Sequence, residues 1–460
     1  MRLAIIVLAL LASYAAAQGA PISDYVGTYA DGPNHAVEIV AGKNLFAVVV
    51  DATYALNVTG PDEITTISGE KIAFRRDAAG KISGYTQNGQ FHPRLSPSVS
   101  VNAARLAYPR PAGEVYHYAP PDDRHDGIRV GDIAKTPLGV DAANAIVDKI
   151  GSGAYPNVHS VLLYQNGRLV LEEYFYGFDA DRKHELRSAT KSIVSAVAGI
   201  AVGHKLVSVD APVLGLLGIP VPTDPDPRKA RITLRDFLTM SSGLDCNDHS
   251  STSPGRETII DEQPDWIEAV FALPQINDPG RVGYYCSGGV AVVGRAIEKA
   301  THSYLPDYAN ANLFAPLGIA DLAWNYDLTN NDKEYSQIYL RPRDMLKLGI
   351  LYAQDGKWRG RQIIPKNWVR ASLRKQSTVD GTEYGYFWWR PWLNVGGKQV
   401  YVSAAQGNGG QKIYIVPEYH LVAVFTGGDY NSTGSPMNRI MVSDILPKLI
   451  AAYPSETTLP

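Results

Sequence analysis

The 460-residue chain lacks several features that would quickly assign it to a class. Its two cysteines and ten histidines are too few for a disulfide-rich scaffold or a zinc-finger array. Forty-three basic and 46 acidic residues give a formal net charge of -3, without the basic excess of nucleic-acid-binding proteins. No apolar run reaches the length of a membrane-spanning helix. We therefore expect neither a nucleic-acid partner nor a membrane span, and the 45% hydrophobic content predicts a large buried core.

The sequence signatures of several enzyme classes are also missing. The chain contains no Gly-x-Ser-x-Gly elbow, which argues against an α/β-hydrolase, and no His-Glu-x-x-His zinc motif. A glycine-rich stretch at 405–411 is not followed by Gly-Lys-Ser/Thr, which argues against a phosphate-binding loop. His184, His204 and His249 are interpreted as surface or capping residues, so no metal site is predicted.

The N-terminus has the composition of a secretory signal peptide. Arg2 precedes a short apolar run over 3–12, and alanines occupy positions 15–17. We expect residues 1–17 to be removed by cleavage after Ala17, leaving a secreted or periplasmic protein. No cysteine follows the run, so a lipid anchor is excluded there.

Export would place the two cysteines in an oxidising compartment, where Cys246 and Cys286 can form a disulfide. Closing a loop of that length would stabilise the fold by about 4 kcal/mol on the chain-entropy account. Two free buried thiols are the alternative.

Composition divides the mature chain into two domains. Residues 22–106 contain short β-branched segments separated by turn residues, which predicts a small all-β accessory domain, a barrel or a sandwich. A proline-rich linker follows at 107–125. Residues 126–455 mix both element types and predict an α+β domain.

Within the larger domain, several elements can be placed. Residues 161–170 read as a hairpin with Asn-Gly at its turn, and 189–202 as a helix that is apolar on nearly every side and hence buried. Two strands are expected at 412–416 and 420–425, followed by a helix at about 436–452.

Three Ser-x-x-Lys matches could supply a nucleophile and its base, because residues three apart share one face of a helix. They are Ser68 with Lys71, Ser188 with Lys191, and Ser372 with Lys375. The first lies beside a glycine turn in the β domain, and the third ends an amphipathic surface helix. The second opens the buried helix, whose N-terminus offers unpaired N–H groups to an oxyanion. A capping serine with a snorkelling lysine is the alternative interpretation of that pair.

Three other segments are chemically suggestive. A tyrosine within 284–289 could relay protons, and the glycines of 405–411 allow backbone to approach a ligand closely. The aromatic run from Tyr384 to Trp392 could form core or pocket wall. Its adjacent tryptophans Trp388 and Trp389 must face opposite sides if they lie on a strand.

Taken together, these motifs resemble those of the serine β-lactamase and penicillin-binding-protein superfamily. The matching segments are Ser188-Ala189-Thr190-Lys191, Tyr285-Cys286-Ser287 and Ala405-Gln406-Gly407, with further likeness at 232–243, 316–319 and 341–345. The likeness spans about 115–455 and is closest to the class C-like branch, with its esterases, D-stereospecific peptidases and 6-aminohexanoate-dimer hydrolases. It implies a β-lactamase/transpeptidase-like domain, with an antiparallel sheet flanked by helices and an all-helical lobe, and no metal or organic cofactor.

The resemblance also implies roles for individual residues. Ser188 would attack a carbonyl, Lys191, kept neutral by burial, would take its proton, and Tyr285 would relay a proton to the leaving group. Ser287 would hold this network by hydrogen bonds. The backbone N–H groups of Ser188 and Asn408 would form the oxyanion hole. Gln406, Gly407 and Gly409 would contact substrate.

One departure from the family pattern bears on the substrate. The third motif lacks the lysine or histidine that β-lactamases use to bind a drug carboxylate, which argues for an esterase or amidase acting on a small or short-oligomer acyl compound. A sensor that acylates without turnover, a class C-like β-lactamase and a D-aminopeptidase stay as alternatives. Ester, amide and lactam share the same carbonyl chemistry, so the motifs do not choose among them. Oligomeric state is likewise open.

Overall fold

The computed structural model describes residues 21–453 except 33–34, 43, 50–51, 68, 112, 220–225, 326–336 and 433. The expected signal peptide at 1–17 and Ser68, one of the three candidate nucleophiles, lie outside the described residues. Within the part of the chain that is described, no helix combines the length and apolar character needed to span a bilayer.

The N-terminal domain is a closed antiparallel barrel of eight strands. In chain order, β1–β8 are Gly27–Ala30, Ala36–Ala41, Leu45–Val49, Ala52–Gly60, Glu63–Thr66, Lys71–Arg76, Ile82–Gln87 and Gln90–Ser96. Each strand pairs with the next, and β1 pairs with β8 to close the ring. Side chains alternate across β3, where Leu45 joins the barrel core while Phe46 and Val48 pack outward against the larger domain. Of the two predicted architectures, barrel and sandwich, the domain therefore adopts the barrel.

The remaining elements belong to the larger domain, apart from one short connecting helix, α1. The strands β9–β23 are Val158–Gln165, Arg168–Tyr174, His184–Glu185, Ala323–Trp324, Ile338–Leu340, Lys357–Trp358, Arg361–Gln362, Ser377–Val379, Thr382–Tyr384, Trp389–Arg390, Trp392–Val395, Lys398–Tyr401, Ser403–Gly407, Gln411–Val416 and Leu421–Gly427. The α-helices α1–α13 are Val101–Arg105, Gly139–Gly151, Thr190–Gly203, Val213–Leu217, Leu234–Leu238, Glu257–Ile260, Trp266–Ala272, Gly288–Thr301, Leu305–Ala309, Pro342–Ala353, Lys366–Ser372, Pro436–Ile440 and Leu446–Ala452.

An eight-stranded antiparallel sheet in the order β10-β9-β23-β22-β21-β18-β17-β16 organises this domain. One face packs on α2 and the C-terminal helices, and the other packs on α3 and α10. The predicted hairpin forms as β9 and β10, with Gln165 opposite Arg168, and β9 pairs with the C-terminal β23. Helices α4–α9 form the helical lobe beyond α3. The α+β fold predicted from the sequence, preceded by a small all-β domain, is the observed one.

The C-terminal segment departs from the expected single helix over 436–452. It consists of α12, a π-helical turn at Met441–Ile445, and α13. Pro447 lies in the first turn of α13 and cannot donate a backbone hydrogen bond, which accounts for the interruption. The proline-rich 107–125 stretch contains no helix or strand among its described residues.

Candidate active site

Ser188 lies in a 3-10 turn, Arg187–Ala189, that leads directly into α3. Nearly every residue of α3 is buried, as its uniformly apolar sequence predicts. Lys191, one turn further on, is 1% exposed, and its Nζ donates to Ser188 Oγ at 2.9 Å. Arg187 has a φ of 48°, a left-handed conformation that is costly outside glycine. The second Ser-x-x-Lys match therefore has the geometry of a nucleophile beside an amine, while Ser372 is buried and donates to Trp368 O at 2.9 Å.

Tyr285 reaches this pair from the segment that precedes α8. Its ring lies between the ring of His249, at 5.3 Å, and the ring of Trp389, also at 5.3 Å, in stacked arrangements. Lys191 Nζ is 5.1 Å from the centre of the Tyr285 ring. The tertiary fold thus brings a serine, a lysine and a tyrosine from distant segments to one place, and the flanking rings limit how far the tyrosine can turn.

The disulfide expected between Cys246 and Cys286 is present, with a sulfur–sulfur distance of 1.98 Å. Cys286 is the residue directly after Tyr285, so the bridge ties the tyrosine segment to the 246–249 segment. That second segment carries His249, whose Nδ1 is 2.7 Å from Asp380 Oδ2. His249 is exposed, as its interpretation as a surface residue predicts, and its ring also packs against Tyr285, a contact that no local sequence pattern indicates. The same interpretation is wrong for His184, which is buried and contacts His159.

The two adjacent tryptophans show whether the aromatic run forms core or pocket wall. Trp388 is 1% exposed and belongs to the core, whereas Trp389 faces the cleft against Tyr285. The aromatic run is therefore both core and pocket wall.

Ser287 connects to the site through Asp248. Its Oγ is buried, and its side chain interacts with the Asp248 carboxylate. Its backbone N–H also donates to Asp248 Oδ2 at 2.8 Å, and Asp248 Oδ1 accepts from the N–H of Glu257 at 2.8 Å. The N–H of Asp248 donates to the carbonyl of Tyr285 at 2.8 Å. Asp248, which the sequence analysis does not select, therefore links the 285–287 segment to Glu257 through hydrogen bonds.

The pKa shift of Lys191 differs from the expectation. Burial alone would lower the pKa of its ammonium, but the nearby Tyr285, Glu257 and Asp248 favour the charged form and outweigh burial. The pKa of Lys191 is therefore raised rather than lowered. Burial raises the pKa of the Tyr285 phenol, partly offset by the charge of Lys191. The direction of the Lys191 shift runs against the expectation of an amine kept neutral by burial, because Tyr285 and two carboxylates lie beside the ammonium.

The predicted oxyanion donors are the backbone N–H groups of Ser188 and Asn408, and both residues line the same cleft. Asn408 is held by Asn431, since its Nδ2 donates to Asn431 Oδ1 at 2.7 Å and its Oδ1 accepts from the Asn431 N–H at 2.9 Å. A Cβ at Gly407 would lie 2.1 Å from the carbonyl oxygen of Leu186, so glycine is needed for β21 to approach the serine turn. The sequence predicts that these glycines let the backbone approach a ligand, and the approach that Gly407 permits here is to the turn that carries Ser188.

The third motif lines the same cleft, which has a volume of about 740 Å³. Ser188, Tyr285, Gln406, Gly407, Asn408 and Gly409 all contribute to its wall. Lys412, a residue that sequence reasoning missed, also lines it. It lies opposite Gln406 in the β21–β22 pairing, and its Nζ donates to Gln406 Oε1. A lysine inside the apolar run 412–416 was the available signal.

Lys412 supplies a cation next to the motif that lacks one. Burial lowers the pKa of the Lys412 ammonium to about 8, and no charged side chain of the described residues offsets this shift. The amide oxygen of Gln406 accepts a hydrogen bond from its Nζ. Elsewhere in the described chain, no group of three or more His, Cys, Asp or Glu side chains is arranged to hold a metal ion.

Comparisons with known proteins agree with this geometry. The sequence profile of the β-lactamase family matches residues 143–439, more than half of the chain, and leaves the barrel outside. The lovastatin esterase of Penicillium rubens is 32% identical over 180 residues, 36% of this chain and 45% of that protein. The 6-aminohexanoate-dimer hydrolase of Paenarthrobacter ureafaciens is 24% identical over 290 residues, 57% of this chain and 70% of that one. The chain thus spans less than half of the esterase it matches.

A solved structure shows the same fold. A mutant of the simvastatin synthase of Aspergillus terreus superposes with a TM-score of 0.53 at 18% identity, covering 70% of this chain and 100% of the other. At that identity the likeness concerns the fold.

Proposed function

This chain belongs to the β-lactamase family, and we propose that it is an exported serine hydrolase, an esterase that cleaves carboxylic esters through an acyl-enzyme on Ser188. The observation that carries the proposal is the 2.9 Å contact between Ser188 Oγ and Lys191 Nζ at the wall of a cleft that Tyr285 also lines. Similarity to an esterase supports the ester preference, and the signal-like segment at 1–17 supports export.

The reaction follows from the positions of these groups. With Lys191 in its neutral form, the Ser188 hydroxyl passes its proton to the amine as Oγ bonds to the carbonyl carbon. The oxyanion that forms accepts hydrogen bonds from the N–H groups of Ser188 and Asn408. As the ester C–O bond breaks, the departing alkoxide takes a proton relayed through Tyr285. Water then attacks the acyl-enzyme, releases the acid and restores the serine.

Lys412 restricts the substrates that suit this cleft. Because a buried ammonium without a carboxylate partner is costly, an anionic group on the substrate would be stabilised beside it. In this proposal Lys412, on the neighbouring strand, supplies the cation for a substrate carboxylate that the third motif itself lacks. We propose that preferred esters carry a carboxylate.

A substrate panel tests the proposed reaction. The purified protein should turn over p-nitrophenyl acetate and butyrate through many cycles, and turn over nitrocefin and a linear amide dimer far more slowly. A single stoichiometric release of p-nitrophenol without further turnover would instead identify a sensor. Nitrocefin as the best substrate would identify a β-lactamase.

The role of Lys412 predicts a selective loss of affinity. In Lys412→Met we expect KM for p-acetoxybenzoate to rise by roughly 10- to 100-fold, the contribution of a charge-assisted hydrogen bond. KM for the neutral methyl ester of the same compound should change little. Lys412→Arg is the matched control and should recover most of the loss. Equal changes for the acid and its methyl ester would remove Lys412 from substrate recognition.

A further inference from the structure

The barrel contacts the catalytic domain at the segment that follows β23, residues 428–431. Thr53 Oγ1, on β4, donates to the carbonyl of Gly428 at 2.6 Å. The ring of the next residue, Tyr54, lies 5.7 Å from the ring of Tyr430. A Cβ at Gly428 would stand 2.3 Å from Thr53 Oγ1, so the backbone and the barrel are in direct contact there. The barrel is therefore packed against a defined segment of the catalytic domain.

The same segment forms part of the active site. Asn431 holds the side chain of Asn408, the residue whose N–H is assigned to the oxyanion hole. The guanidinium of Arg187, the neighbour of Ser188, lies over the Tyr430 ring at 5.4 Å. Segment 428–431 thus contacts both the barrel and two residues beside the active site, Asn408 and Arg187.

The barrel is not completely filled by its own side chains. A cavity of about 470 Å³ opens inside it, and its wall includes Tyr430 and Asn431 of the catalytic domain. Apolar side chains line part of the rest, namely Val37, Ile39, Ala47, Val49, Leu56 and Ile72, and polar side chains, among them Asp31, Glu70 and His92, line the remainder. Asn431 also lines the catalytic cleft, so the two cavities share a wall residue. Eight-stranded barrels are wide enough to hold one small ligand.

We propose that the barrel cavity is a distal substrate pocket, which receives the apolar acyl chain of an ester whose carbonyl is bound at Ser188. The inference rests on the proposed esterase function and adds a substrate class, namely esters of extended apolar acids. A short acyl group would end inside the catalytic cleft, whereas a longer chain would pass Asn431 and bury its end among the apolar residues of the barrel.

The test compares kcat/KM for p-nitrophenyl esters from acetate to decanoate. Once the chain reaches the barrel, we expect each added methylene to raise kcat/KM by about fourfold, the value of burying that group. The substitutions Ala47→Phe and Val49→Trp fill the cavity. In each variant the ratio of kcat/KM for the decanoate ester to kcat/KM for the acetate ester should fall by at least about tenfold, because the acyl chain can no longer be buried there. Turnover of acetate should stay at the wild-type level.

Two controls make the result decisive. Val58→Trp adds the same bulk to β4, at a position that is 42% exposed and does not line the cavity, and should keep the wild-type ratio. Val49 is 38% exposed, so its variant should fold even if Ala47→Phe does not. An unchanged ratio in Val49→Trp would overturn the inference.

A binding measurement tests the distal pocket independently of the proposed esterase activity. Calorimetric titration with decanoic acid should show binding to the wild-type protein that is at least about tenfold weaker in Val49→Trp. If the wild-type protein hydrolyses no ester, the esterase proposal fails, and this titration still decides whether the barrel holds an apolar chain. No difference between the two proteins in the titration would refute the distal pocket.

Discussion

Replacing Ser188 with alanine should abolish hydrolysis of p-nitrophenyl acetate, with a loss in kcat on the order of 10⁶-fold, while the protein stays folded. Without Oγ no acyl-enzyme forms, and only the oxyanion donors and the cleft are left to act on the ester. Steady-state rates together with circular dichroism measure both parts. A fluorophosphonate should label the wild-type protein at Ser188, as mapped by peptide mass spectrometry, and should not label the variant.

The matched control is Ser372→Ala, which removes the serine of a competing Ser-x-x-Lys pair. That hydroxyl is buried and donates to Trp368 O, so its loss should lower stability by about 1 kcal/mol and leave turnover in place. Activity at the wild-type rate in Ser188→Ala, or an adduct on another residue, would contradict the assignment of the nucleophile.

Replacing Lys191 with methionine should lower kcat/KM by about 10⁴-fold, because the serine loses its base. The wild-type pH profile carries a further signature. Only the neutral amine can accept a proton, and Tyr285 together with the carboxylates near Lys191 raises its pKa against the effect of burial, so kcat/KM should still be rising at alkaline pH. Lys191→Met should lose this rise together with the activity. A profile that is flat from neutral to alkaline pH would show that Lys191 is already neutral.

Asp248→Asn examines the cause of that alkaline rise. Removing a negative charge that favours the ammonium lowers the pKa of Lys191, so the rise in kcat/KM should move to lower pH. Asp307→Asn, an exposed carboxylate on α9, should leave the profile in place. A shift of equal size in both variants would show that net charge, rather than the position of Asp248, controls the base.

Local sequence determined much of this molecule. The sequence of α3 is apolar on nearly every side, which predicts that the helix is buried. Ser188 and Lys191 are three residues apart, which places their side chains together on one helical turn. Alternating β-branched segments with short turns specified the N-terminal β domain, although they did not distinguish a barrel from a sandwich. Closure depends on pairing between β1 and β8, which lie at opposite ends of the domain sequence.

Only the tertiary structure decided how the site is charged and what surrounds it. Asp248 and Glu257 lie far from Lys191 along the chain, so the raised pKa of its ammonium could not be read from a motif. Lys412 enters the cleft because strand pairing puts it opposite Gln406, and the barrel meets the active site because Thr53 packs against Gly428. Sequence patterns act over a few residues, whereas electrostatic and packing contacts act through space. The candidate nucleophile could therefore be selected from the sequence alone, whereas the direction of the Lys191 pKa shift, the position of Lys412 in the cleft and the barrel cavity required the tertiary structure.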